Sequence, residues 1–164
     1  MGLQLPGELV TALGWIGLSW PEGDEEKLFE MGQAWLDFAG TVAGASGEAG
    51  SAAAAVLAQH SGEAMQAFGQ WWAQPESGPG TLPDYAQAAT LVGTGLIICA
   101  GIVLALKIQM IVQLAILAFE VAQAIATAVA TFGASLAEIP IFQTITREVV
   151  SMLIDQVISE LMNG

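Results

Sequence analysis

Apolar residues recur along residues 28–56 at alternating steps of three and four positions. The repeat begins with Leu28, Met31, Trp35, Phe38 and Val42 and continues through smaller residues to Val56. This heptad pattern predicts a long helix with one narrow apolar seam and near-parallel packing against a second helix. We expect these five large residues to bind a helix of the same chain or a partner protein. Trp35→Ala should then abolish folding or partner binding.

A helix start is predicted just before this repeat. Pro21 disfavours a helical conformation at Trp20, and Asp24 is a good N-cap residue. Glu25 and Glu26 follow in the first turn, where the helix dipole favours negative charge. Capping therefore explains this acidic group without a bound cation, and we predict no metal site.

A second helix is predicted after a turn at residues 60–62. Gly62 suits a reversal that requires positive φ, and Ser61 is expected to cap the new helix. Its apolar side contains Phe68 and Trp72, while the adjacent Trp71 lies about 100° away around the helix. One of the two tryptophans should therefore face something other than the main core. We predict that these residues are partner-binding: Phe68, Trp71 and Trp72.

The remaining pattern predicts helices only. One long apolar helix, or two, covers residues 83–130, with interruptions at 131–133 and 138–140. A final amphipathic helix follows, with these residues inward: Ile141, Ile145, Val149, Met152, Leu153, Val157 and Leu161. We predict an all-α fold, in which an antiparallel helical hairpin is extended by a long apolar helix and a C-terminal amphipathic helix into an elongated bundle. Residues 1–164 form one domain, comprising an acidic hairpin (1–74), a linker (75–83) and an apolar part (84–164).

Hydropathy introduces an alternative for the second half. Apolar residues make up 54% of the chain, and no charged residue occurs between Tyr85 and Leu106. That stretch is long enough to cross a bilayer core of about 30 Å. The following half of the predicted helix carries a stripe of polar residues: Gln109, Gln113, Glu120, Gln123, Thr127 and Thr131. Such a stripe suits either a helix almost buried in a soluble bundle or a helix that lines a pore. A membrane-inserting channel or holin-like protein built on residues 85–137 is therefore the alternative, although basic flanking residues are nearly absent.

Charge and motifs exclude several classes of function. The net charge is −13, with three basic residues, so binding to nucleic acid is not expected. His60 is the single histidine and stands beside Ser61, an arrangement unlike a catalytic pair held across a site. No phosphate-binding loop, paired cysteine or metalloprotease motif occurs. We predict no catalytic residue, no metal and no cofactor, and hence no enzyme.

The turn and several flanking motifs resemble a known family. Residues 60–68 follow the turn pattern Trp-x-Gly-x-Ala-x-x-x-Phe, with His60 at the tryptophan position and Gly62, Ala64 and Phe68 in place. Further matching segments are Leu5-Pro6-Gly7-Glu8-Leu9, Trp20-Pro21-Glu22-Gly23-Asp24 leading to Ala34-Trp35, Thr131-Phe132-Gly133-Ala134-Ser135 and Ile139-Pro140. Over residues 5 to about 150 the chain resembles the WXG-like N-terminal domains of actinobacterial polymorphic toxins.

The resemblance implies a helical delivery and partner-binding domain. Such domains associate with small WXG-type proteins or with themselves and pass through type VII secretion machinery, so the protein would be cytoplasmic before export and then secreted or held at the cell surface. His60 and Gly62 would form the turn motif. The family's export signal, Tyr-x-x-x-Asp/Glu, is not matched at Tyr85, because Ala89 stands four residues later. A partner would then supply the signal.

Overall fold

The computed structural model describes residues 2–163. A 3-10 turn at Gly7–Leu9 leads into α1, Val10–Ile16. The longer helices are α2 (Glu25–Gln59), α3 (Glu63–Trp72), α4 (Gly78–Thr127) and α5 (Ile139–Asn163), and a 3-10 segment at Ala134–Glu138 precedes α5. No strand occurs in the described part of the chain, so the all-α prediction is confirmed.

The chain forms two compact units. One contains residues 1–27 and 99–164, and the other contains residues 28–98. Both α2 and α4 contribute to each unit, because the boundaries fall at residues 27/28 and 98/99 inside these helices. The single helix α4 also decides between the predicted alternatives of one or two helices over residues 83–130.

In the unit of residues 28–98, α2 and α4 meet at two glycines. A Cβ added to Gly32 would lie 2.8 Å from the Gly93 carbonyl oxygen, and one added to Gly93 would lie 2.8 Å from the Gly32 carbonyl oxygen. Both distances are shorter than any side-chain carbon tolerates. The two helices therefore touch backbone to backbone at this point, and Leu36 packs beside the contact.

The turn between α2 and α3 depends on Gly62. Its φ of 120° lies in the region that favours glycine, so the predicted positive φ is confirmed. The prediction that Ser61 caps α3 is wrong. The helix begins at Glu63, which puts Gly62 at the N-cap and Ser61 one position outside it. The backbone N–H groups of Met65 and Gln66 donate to the Gly62 carbonyl instead.

The start of α4 is set by Ser77. Its Oγ accepts a hydrogen bond from the Gly80 N–H at 3.0 Å, and its carbonyl accepts one from the Thr81 N–H at 3.1 Å. Pro79 lies in the first turn, where its missing N–H removes no helical hydrogen bond. The helix consequently begins inside the proline-rich segment 75–83 that we interpret as a linker.

The unit of residues 1–27 and 99–164 contains a core of buried apolar side chains. α1 packs against α5, and the middle of α4 contributes its most deeply buried side chains. The buried members are Ala12, Leu13, Ile16, Leu106, Met110, Leu114, Leu117, Val121 and Val150. On α4, the inward residues Met110, Leu114, Leu117 and Val121 recur at steps of four, three and four, so this core is itself a heptad seam.

The connection from α4 to α5 confirms the predicted interruption at residues 131–133. The residues predicted to face inward on α5 need correction. Phe132 and Gly133 both have positive φ, and Ser135 donates a 2.7 Å hydrogen bond to the Ala124 carbonyl. The predicted inward positions Ile141, Ile145, Met152 and Leu161 are exposed. The residues that face the core are Ile139, Phe142, Val150, Leu153, Ile154 and Val157. Leu153 and Val157 were also predicted to face inward, and these two positions are confirmed.

Candidate partner-binding surface

Two apolar stripes run along α2, displaced from each other by one residue. The stripe that faces the protein consists mainly of small residues, with Gly32, Ala39 and Ala53 buried and Leu36 half-buried. Three of the large residues, Met31, Trp35 and Phe38, lie one position earlier, which rotates them by about 100° around the helix. The heptad repeat itself is therefore present, but the intramolecular contact uses the neighbouring stripe.

The large-residue stripe, here called the α2 seam, consists of Leu28, Met31, Trp35, Phe38 and Val42. Met31 is 52% exposed, Trp35 40% and Phe38 51%, while Leu28 and Val42 are half-buried. The Trp35 and Phe38 rings meet edge to face, with centroids 6.0 Å apart, and with Ala34 they line a shallow apolar depression. Pre-positioned aromatic side chains of this kind are the residues that most often dominate protein interfaces.

A second aromatic cluster lies on α3. The Phe68 ring centroid is 5.6 Å from that of Trp72 and 6.2 Å from that of Trp71. Phe68 and Trp72 are half-buried, whereas Trp71 is 47% exposed. The two adjacent tryptophans thus face different surroundings, as their spacing predicts. The part they play in partner binding stays a prediction.

His60 terminates α2. Its backbone N–H donates to the Val56 carbonyl at 3.1 Å, and its ring Nδ1 lies 3.0 Å from the same oxygen. The imidazole is exposed. It consequently closes the last turn of the helix instead of filling a buried space, and its contribution to an interface stays a prediction.

A buried ion pair joins α2 to α4 in the unit of residues 1–27 and 99–164. The Lys107 ammonium donates to Glu25 Oε2 at 2.7 Å, and the two side chains are 2% and 7% exposed. The Leu3 N–H donates to the other carboxylate oxygen, and the Trp20 ring centroid lies 6.0 Å from Lys107 Nζ. Sequence patterns missed this pairing. The sequence does contain an indication of it, namely a single lysine inside an apolar helix. Such a lysine needs a counter-charge when it is buried.

The electrostatic setting of Glu25 favours its ionised form. Burial alone raises the pKa of this carboxyl, but the hydrogen bonds from Lys107 and the Leu3 N–H outweigh that effect and hold the pKa below its ordinary value. Gly2 is packed against the carboxylate so closely that an added Cβ would lie 2.6 Å from Oε2. The N-terminal segment therefore closes directly over the ion pair.

Asp24 caps α2 as predicted. Its Oδ1 accepts a hydrogen bond from the Lys27 N–H at 3.1 Å, and this bond lowers the pKa of the carboxyl. Among residues 2–163, no group of three His, Cys, Asp or Glu side chains is placed to hold a metal ion.

The outward side of α4 is apolar and exposed. Ile108 and Val112 are each 49% exposed and Phe119 is 69% exposed. Within the described residues, α4 is the one helix long and apolar enough to cross a membrane, and 22% of its most hydrophobic window is buried. The polar stripe is exposed except at Gln113 and Glu120, which are half-buried. Because the apolar residues Ile108, Val112 and Phe119 are exposed as well, α4 is not almost buried within this chain.

Comparison with known proteins places the chain among helical secretion-related domains. The sequence model of the family described as "WXG100 like domain" matches residues 5–148. That match covers the α2 seam, the turn at Gly62, the α3 cluster, all of α4 and the first turns of α5. No curated protein and no solved structure shows a significant match to the chain.

Proposed function

The chain belongs to the WXG100-like domain family, a group of helical proteins related to type VII secretion, and from this premise we propose a specific role. The protein is a non-catalytic delivery and partner-binding domain of a secreted toxin or effector, of the actinobacterial polymorphic-toxin type. Its partner is a small WXG-type protein, and the complex leaves the cytoplasm through the type VII machinery.

The observation that carries this proposal is the exposure of the α2 seam. Met31, Trp35 and Phe38 are 52%, 40% and 51% exposed, although α2 already uses its small-residue stripe for contact within the chain. Soluble proteins seldom leave clustered large apolar side chains uncovered unless a partner covers them. Because the seam repeats at heptad spacing, its shape fits an α-helix of the partner.

Charge supports the same assignment. Nearly all of the chain's charged residues are acidic, and the net charge is −13. Glu30 and Asp37 are exposed on α2. A partner helix with an apolar stripe and flanking Lys or Arg side chains would complement this surface.

Co-expression with the small WXG-type proteins encoded nearby tests the proposal. We expect one of them to co-purify in equal amount and to be required for appearance of the protein in the culture medium of a type VII-competent host. A stable single chain that binds none of these neighbours, or whose export does not depend on the type VII machinery, contradicts it.

A second candidate function is insertion into a membrane by residues 85–137, as a channel or holin-like protein. It is favoured by the length of α4 and by its exposed apolar side. Purification without detergent distinguishes the two. Recovery only from the membrane fraction supports the second candidate, whereas a detergent-free soluble protein that does not release dye from lipid vesicles contradicts it.

A further inference from the structure

The end of α4 and the turn that follows it carry a cluster of exposed apolar side chains, here called the apolar tip. Its four members are 44% to 100% exposed: Ile125, Val129, Phe132 and Leu136. No charged residue occurs between Glu120 and Glu138. The ring of Phe132 is the fully exposed member, so it adds nothing to the buried core of the protein.

The backbone holds Phe132 in a conformation that seldom suits a bulky side chain. Its φ is 53°, in the left-handed region, and the next N–H, that of Gly133, donates to the Ala128 carbonyl at 2.7 Å. This hydrogen bond is that of a Schellman motif, whose left-handed residue is usually glycine. Glycine or asparagine at position 132 would relieve the strain. The stability of the turn therefore does not explain the phenylalanine.

The polar groups around the apolar tip are bonded within the chain. Residues 124–136 contain three hydroxyl side chains, and each donates to a nearby backbone carbonyl at 2.7 to 3.0 Å: Thr127, Thr131 and Ser135. The backbone N–H groups of Gly133, Ala134 and Leu136 also find their acceptors inside the turn. Across residues 124–136 the side chains consequently offer a partner no free hydrogen-bond donor.

We propose that the apolar tip inserts into the interface of a neutral phospholipid bilayer. Lipid tails accept apolar side chains but cannot pair with polar groups, so a segment that enters them must satisfy its own hydrogen bonds. A protein pocket makes a different demand, because interfaces between proteins form about one hydrogen bond per 100–200 Å² and have a polar rim. The apolar tip has neither a charge nor a free hydroxyl group to form such bonds. These features favour lipid over a protein partner.

The charge of the chain restricts the class of lipid. The net charge is −13, and the apolar tip contains no basic residue. Anionic headgroups would repel such a chain, whereas phosphatidylcholine carries no net charge. The inference uses none of the α2 seam residues and does not rest on the partner proposed above. It also differs from the channel candidate, because the apolar tip lies in the interface and no helix crosses the bilayer.

Flotation of the full chain with phosphatidylcholine vesicles tests this inference, with three variants. Phe132→Asn replaces the ring by a polar side chain that tolerates positive φ, and Phe132→Leu keeps an apolar side chain. Phe119→Asn is the matched control on the outward side of α4, where the ring is 69% exposed. Circular dichroism and thermal melts without lipid check that each variant is folded, and Phe132→Gly replaces Phe132→Asn should that variant unfold.

We expect the wild-type protein to bind reversibly, no more tightly than the roughly 10⁴ M⁻¹ of a single myristoyl chain. Phe132→Asn should weaken binding at least about 10-fold, because the largest side chain of the apolar tip no longer leaves water. Its melting temperature should nevertheless stay the same or rise by about 2–4 °C, since the strain is relieved. Phe132→Leu and Phe119→Asn should bind nearly as well as wild type. Phosphatidylglycerol in the vesicles should weaken binding.

Three results overturn the inference. The first is a wild-type protein that does not bind phosphatidylcholine vesicles. The second is an equal loss of binding in Phe119→Asn, or release of an encapsulated dye on binding, because either one assigns the membrane contact to α4 itself. The third is a Phe132→Asn variant that binds vesicles like wild type but binds a co-purifying WXG-type protein more weakly, since the apolar tip would then be a protein contact.

Discussion

Lys107 and Glu25 form an ion pair in the interior of a protein that has only three basic residues. The pair links the apolar helix α4 to the first turn of α2, and the Leu3 N–H ties the N-terminal segment to the same carboxylate. Removing two charges from water is costly, so the pair fixes which residues meet more than it adds net stability. Loss of one partner alone should be far more damaging than loss of both.

Single and double substitutions of the pair test this arrangement. We predict that Glu25→Ala lowers the free energy of unfolding by about 3–5 kcal/mol, because the Lys107 ammonium remains buried without its counter-charge. The double variant Glu25→Ala/Lys107→Met should recover most of that loss. Urea unfolding of the two single variants and the double variant gives the comparison. If the two single effects simply add in the double variant, the charges do not depend on each other in the folded protein.

The pair also predicts a dependence of stability on pH. The pKa of Glu25 is held below its ordinary value, so the stabilisation is complete above the unfolded pKa of about 4.3 and is lost as pH falls through the folded pKa. Glu25→Gln should unfold more easily than wild type at pH 7, and the difference should shrink as the pH falls below about 4. Chemical unfolding of both proteins at a series of pH values measures this difference in the free energy of unfolding. A constant difference across that range would show that ionised Glu25 does not stabilise the fold.

The glycine contact between α2 and α4 predicts that two glycine-to-alanine substitutions on α2 change the stability of the protein in opposite directions. Gly32→Ala puts a methyl group 2.8 Å from the Gly93 carbonyl oxygen, so we expect a loss of about 1–3 kcal/mol in unfolding free energy. Gly40→Ala is the control on the same helix, because nothing lies within 4 Å of its added Cβ. That change should stabilise the protein by up to about 1 kcal/mol. Equal effects of the two substitutions in thermal melts would contradict the close approach.

Residues of α2 show what the sequence could predict and where it failed. The N-cap at Asp24 and the positive φ at Gly62 were predicted, because each depends on the chemistry of one residue and its nearest neighbours. The contact side of α2 was harder to predict. Hydrophobicity draws attention to Trp35 and Phe38, but the backbone contact uses Gly32 and Gly93, whose role depends on a partner helix about 60 positions away in sequence.

The same limitation appears in the other helices. The sequence shows Lys107 as a lone basic residue in an apolar helix, but its partner Glu25 lies 82 positions away and is identified only in the folded chain. On α5, alternative stripes of similar hydrophobicity exist, and the pattern selected Ile141 and Ile145 over Phe142 and Val150. The periodicity of the sequence therefore predicts where helices form and which apolar stripes each helix carries. Packing against the rest of the protein determines which of those stripes is buried.

The central claim is that the α2 seam binds a partner, and the Kd for a co-purifying WXG-type protein tests it most directly. Trp35→Ala and Trp15→Ala are a matched pair, since Trp35 is 40% exposed on the α2 seam and Trp15 is 41% exposed on α1. Glu48→Ala is a second control, at an exposed position outside the α2 seam. All three variants should remain folded, because these side chains are substantially exposed.

Isothermal titration calorimetry should show that Trp35→Ala weakens binding by at least about 2 kcal/mol, roughly a 30-fold increase in Kd. Trp15→Ala and Glu48→Ala should change it by less than about 0.5 kcal/mol. If Trp35→Ala binds as tightly as wild type, or Trp15→Ala loses as much affinity, the α2 seam is not the partner-binding surface.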